Sequence, residues 1–69
     1  MAESVYKVIE LVGTSTESWE AAARTAVERA SSTLRDLRVA EVEKLDMTVE
    51  DNKISHFRAK VKLSFKYEE

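Results

Sequence analysis

Three carboxylates, Asp46, Glu50 and Asp51, lie close together in the second half of the chain, and the bases Arg58, Lys60, Lys62 and Lys66 follow at even positions. Carboxylates suit hard cations: calcium takes about six to eight oxygens, many from carboxylates or backbone carbonyls. Asp46 therefore has two readings. It forms a salt bridge to Arg58 across neighbouring strands, or it ligates a divalent cation whose other oxygens come from symmetry-related copies. No EF-hand loop is present, so no local motif supports the second reading. The chain has no cysteine and one histidine, His56. Thiolate metal sites are excluded and His56 reads as a surface residue.

The basic row has the charge to hold phosphate or nucleic acid. Its interleaved residues point to the opposite face, however, and the preceding strand supplies acids, so it reads as a solvated or subunit-facing row. A formal net charge of -2 also argues against nucleic acid, whose binders are usually clearly basic. No Ser-His-Asp set, glycine-rich phosphate loop or isolated carboxylate pair is present, and the chain reads as non-enzymatic.

The elements that must position these groups follow from periodicity. Lys53 to Tyr67 alternates cleanly: Phe57, Ala59, Val61, Leu63, Phe65 and Tyr67 share one face, and His56, Arg58, Lys60, Lys62, Ser64 and Lys66 share the other. That is a half-buried antiparallel strand with a basic outer face. Arg38 to Glu50 is the strand before it, joined through the tight turn Asp51-Asn52. Its apolar residues switch phase between Ala40/Val42 and Leu45/Met47/Val49, which a bulge near Glu43 and Lys44 would reconcile. A two-residue turn would pair Glu41 with Lys62 and Glu43 with Lys60, whereas a three-residue turn would pair Asp46 with Arg58. Both registers set acids against bases.

Val5 to Val12 reads as the first strand, apolar on both faces. A helix from about Thr16 to Leu37 follows, with Thr14 and Glu17 forming a capping box. Trp19, Ala22, Ala23, Ala26, Val27, Ala30, Leu34 and Leu37 make its apolar stripe, and Trp19 on that stripe reads as packing. Gly13, the only glycine, suggests special backbone geometry or a close chain approach where strand meets helix. The fold class is α+β, in the order β-α-β-β, with the last strand in the centre of a three-stranded antiparallel sheet around one helix. The other sheet face, with Met47, Val49 and the exposed aliphatics of the first strand, would be covered by other subunits.

With 69 residues the chain makes a single domain spanning 1–69, and its core is marginal alone. Oligomerisation is the usual remedy where no disulfide or structural metal is available. The N-terminus Met1-Ala2-Glu3-Ser4 is acidic and no apolar run follows, so no signal peptide, membrane segment or lipid anchor is expected and the default compartment is the cytoplasm.

The gapless series Tyr6-Lys7, Glu10-Leu11-Val12-Gly13-Thr14-Ser15, Ala30 with Thr33-Leu34-Arg35, Glu41-Val42 and Phe65-Lys66-Tyr67-Glu68 resembles the dodecins, small proteins that assemble into hollow twelve-subunit shells and often store flavin. The resemblance covers essentially the whole chain. It implies a homododecamer with trimers as building blocks. It also implies a flavin site at Val39, Asp46, Arg58 and Lys66, with departures from the family pattern. Flavin-binding members stack the isoalloxazine ring on a tryptophan where this chain has Val39. They commonly carry Arg-Gly where Asp46-Met47 stand, and a glutamine where Arg58 stands. The late base is kept as Lys66. Valine offers no flat π-face, and an acid in place of arginine repels a flavin phosphate. The family includes calcium-associated members. The expectation is a non-enzymatic binding or storage shell that takes a divalent cation, calcium, through Asp46, Glu50 and Asp51. The alternatives are storage of FMN or riboflavin, and a purely structural module.

Overall fold

The structure, a computed structural model, describes residues 3–67; Met1-Ala2 and the Glu68 of the series above lie outside the described residues. Its elements are β1 (Tyr6–Ser15), α1 (Trp19–Ser31), β2 (Leu37–Glu50) and β3 (Lys53–Lys66). The sheet order is β1-β3-β2, and β3 pairs antiparallel with both neighbours. This is the expected β-α-β-β arrangement with the alternating strand in the centre. The two 14-residue strands form a long hairpin that draws the chain out to 53 × 20 × 15 Å.

The hairpin turn is settled by Asp51 and Asn52, whose φ values of 53° and 62° are those of a type I′ turn, the two-residue form that matches strand twist. The pairing then shifts between Thr48 and Val49 and again between Val42 and Lys44. Both expected registers are therefore present in different halves of one ladder. Glu41 faces Lys62 and Asp46 faces Arg58, and Glu43 is the bulged residue between them. The bulge brings Leu45 and Met47 onto the same face as Ala40 and Val42. Met47 thus stands opposite Phe57 on the helix side of the sheet, not on the other face as the sequence suggested.

The helix is shorter than its apolar spacing implies. Its N-cap is Ser18, whose side chain accepts from the Ala21 amide at 3.0 Å, and the expected cap residue Thr14 lies within β1, opposite Arg58. Ser15 accepts from the Glu17 amide at 2.9 Å, turning the chain from strand to helix. The helix ends at Ser31, not Leu37. There Ser31, Ser32 and Thr33 hydroxyls bond back to the carbonyls of Glu28, Arg29 and Ala30, offering the backbone an alternative to another turn. Asp36, with φ 57°, redirects the chain into β2.

Ala22, Ala26 and Ala30 on α1 bury against Ala59, Val61 and Leu63 of β3. The alanine stripe lets the helix lie close, and β1 yields with its glycine: a Cβ on Gly13 would sit 2.0 Å from the Ala22 carbonyl oxygen. Close approach, not a left-handed backbone, explains this glycine. Beyond the helix, the helix-side apolar residues of β2, Val42, Leu45, Met47 and Val49, stay exposed. No helix among the described residues is long and apolar enough to cross a membrane.

Candidate functional site

The face of the sheet turned away from α1 carries the charges. At its centre Arg58 Nε donates to Asp46 Oδ1 at 2.7 Å, and Arg58 Nη2 donates to Asp46 Oδ2 at 2.8 Å. This is a bidentate pair with good geometry. It arises because the shifted register puts residue 46 directly opposite residue 58. The side chains are 44% and 42% exposed, so solvent screens much of the interaction. The hydrogen bond from Arg58 holds the Asp46 carboxyl below its ordinary range and raises the guanidinium in turn. Asp46 is thus a fixed, ionised carboxylate.

Around the pair, Val12, Lys44 and Lys60 complete the lining of a shallow depression of about 270 Å³. A charge ladder runs along its edge. Lys60 Nζ lies 3.5 Å from Glu10 and 4.0 Å from Glu43, and Lys62 Nζ lies 3.0 Å from Glu43. The bulge aims Glu43 between two lysines, so one carboxylate serves both. The hydrogen bond from Lys62 holds the Glu43 carboxyl low, and Glu43 raises the Lys62 ammonium. The basic row is therefore largely matched by acids, in keeping with the solvated or subunit-facing reading.

The other expected residues fall elsewhere. Val39, 53% exposed, stands opposite Ser64, separated from the central pair by the rungs Glu41–Lys62 and Lys44–Lys60. Lys66 lies farther along β3 and, with Lys7, Arg35, Asp36, Phe65 and Tyr67, borders a second depression. Glu50 and Asp51 are exposed at the hairpin tip. Among the described residues no group of three His, Cys, Asp or Glu side chains is placed to hold a metal ion. Asp46, Glu50 and Asp51 are therefore not gathered into one site within a single chain. His56 is half-buried, its Nδ1 2.7 Å from the Ser55 hydroxyl.

Two features were not legible as site features. Trp19 Nε1 donates to the carbonyl oxygen of Asp46 at 2.9 Å, a link between residues far apart in sequence that no local pattern signals. The Thr48 hydroxyl, two residues beyond Asp46 in β2, is buried and has no hydrogen-bond partner. Native structures leave few such groups unsatisfied.

The dodecin family model matches residues 5–68. The calcium dodecin of Mycobacterium tuberculosis is 49% identical over 63 residues, covering 91% of this chain and 89% of that protein. The dodecin of Thermus thermophilus is 40% identical over 65 residues, covering 94% of each. Among solved structures, the dodecin of Streptomyces coelicolor superposes with a TM-score of 0.92 at 42% identity, over 100% of this chain and 99% of that one. The calcium-chelating calcium dodecin of M. tuberculosis, described with a novel calcium-binding site, superposes with a TM-score of 0.84 at 50% identity, over 94% and 93%.

Proposed function

Since the chain belongs to the dodecin family, we propose that it is the non-enzymatic subunit of a homododecameric cytoplasmic shell, built from trimers, that holds calcium rather than flavin. The observation that carries this reading is Asp46: a fixed, ionised, part-exposed carboxylate on the sheet face turned away from α1. Calcium fits the available donors in kind. The chain offers carboxylates, carbonyls and the unpartnered Thr48 hydroxyl, all hard oxygens, and no thiolate. One chain does not gather enough of them, so symmetry-related copies, joined by Glu50 and Asp51 where assembly brings them near, would complete the shell of oxygens. Bound calcium would supply a charge bridge between subunits. The relative whose name includes calcium, at 49% identity, supports the same choice.

Flavin fits less well. Val39 offers no face for ring stacking. Arg58 already spends two donors on Asp46, and that acid repels a phosphate. Lys66 alone retains the expected charge. Assembly is supported by the uncovered apolar strip of Val42, Leu45, Met47 and Val49, which a monomer would leave in water at about 25 cal/mol per Å².

Light scattering on the purified protein, followed by thermal melts with calcium, with riboflavin and with neither, tests the whole reading. A twelve-subunit mass and a melting shift with calcium alone are expected. A monomer of 7.9 kDa would end the shell reading. Strong stoichiometric flavin quenching would make flavin storage the leading function, and a shell that responds to neither ligand would be a structural module.

A further inference from the structure

Trp19, the single tryptophan, is the first residue of α1 and touches both strands of the charged pair from the helix side of the sheet. Its indole Nε1 donates to the Asp46 carbonyl oxygen at 2.9 Å. Its ring meets Phe57 edge to face, with centroids 5.1 Å apart and planes at 70°. Phe57 precedes Arg58 in β3, and Asp46 lies on β2, an edge strand held only by β3. One side chain thus grips residue 46 through its backbone and the neighbour of residue 58 through its ring, while the two charged groups meet on the opposite face. A bidentate pair tolerates little slippage between strands, and an edge strand is the part of a sheet most free to move.

We propose that Trp19 is a positioning residue that locks the Asp46 segment of β2 against β3 and so presents the Asp46 carboxylate and Arg58 guanidinium in their paired geometry. The consequence for calcium rests on the reading of Asp46 as a ligand; the positioning itself does not. Removing the lock frees the segment without deleting either charge. The Trp19→Phe variant keeps an aromatic ring against Phe57 and removes the N–H together with part of the ring volume.

The test is NMR exchange of the Arg58 Nε–H proton with water in the assembled full chain. Trp19→Phe should exchange about tenfold faster than wild type, the effect of one lost hydrogen bond to a part-buried carbonyl. Calcium affinity should fall by about tenfold, as when the partners that orient a ligand are removed. Val27→Ala, a change at a residue packed on the helix side of the core, should lower the melting temperature and leave Arg58 exchange alone. Unchanged Arg58 exchange in Trp19→Phe, or exchange no faster than in Val27→Ala, would overturn the proposal. If wild type gives no calcium signal, the cation reading falls and Arg58 exchange still decides on Trp19. If Trp19→Phe does not fold, the indole Nε1–H resonance decides: it should shift in Asp46→Asn, and an unmoved resonance counts against the coupling.

Discussion

Asp46 and Arg58 face each other across β2 and β3 and share two hydrogen bonds, at 2.7 and 2.8 Å. The pair exists because the ladder shifts register between Thr48 and Val49, leaving Ser55 of β3 without a partner. Without that shift the two-residue turn would set residue 46 against residue 57 instead. The irregularity beside Ser55 thus links the hairpin turn to the central pair, and the later bulge at Glu43 aims that carboxylate between Lys60 and Lys62, as bulges commonly re-aim side chains.

Acid should weaken the protein through two carboxylates in particular. Arg58 holds Asp46 low and Lys62 holds Glu43 low. A group with a depressed folded pKa contributes its full stability above the unfolded carboxylate range and loses it as pH falls through the folded value. Stability should therefore decline once pH drops below the ordinary carboxylate range. The loss should be small and salt-sensitive, since both pairs are part-exposed. Asp46→Asn with Glu43→Gln should flatten this acid limb. Lys62 is raised, so its contribution holds below the unfolded lysine pKa and fades as pH rises through the folded one. Glu43→Gln should flatten that alkaline limb too. Urea midpoints against pH, at fixed protein concentration and two salt levels, provide the check.

Gly13→Ala should be severe. The added methyl would lie 2.0 Å from the Ala22 carbonyl oxygen and 3.1 Å from the Ala26 Cβ, so the backbone of α1 must shift. A cost of about 3 kcal/mol, at the upper end for overpacking, is expected in denaturant unfolding. A change within experimental error would mean that α1 does not lie as close to β1 as described.

Wild-type protein should leave riboflavin fluorescence nearly unquenched. The double change Val39→Trp, Asp46→Arg should quench it, because stacking is worth about 1–3 kcal/mol per ring in comparable systems, and should quench FMN more strongly, because the two guanidinium groups then facing each other favour its phosphate. If the double variant still ignores riboflavin and FMN, Val39 is not the position that decides stacking.

Much of this was legible in the residues. The clean alternation from Phe57 to Phe65 gave β3 its central place, and the phase switch in β2 marked the bulge at Glu43. The helix end was not legible, because Leu34 and Leu37 keep helical spacing from Ala30 while the Ser31-Ser32-Thr33 hydroxyls compete locally for carbonyls. Periodicity records which residues are apolar, not where capping wins. The Asp46–Arg58 pair was one of two readings open in the sequence, and its register depended on a second bulge, beside Ser55, that no hydrophobic signal marks. The Trp19 contact with Asp46 depends on how α1 lies over the far end of the hairpin, a tertiary property that spacing along one chain does not encode.

The central claim is that this shell holds calcium through Asp46. Calorimetric titration of chelator-treated protein with calcium, run on wild type and on Asp46→Asn, tests it most directly. Wild type should release or absorb measurable heat and gain roughly 2.7 kcal/mol of stability at a hundredfold excess over Kd, and Asp46→Asn should lose most of both. Wild type that shows neither heat nor a thermal shift at millimolar calcium would contradict the account, and Asp46→Asn that binds as well as wild type would contradict the choice of residue.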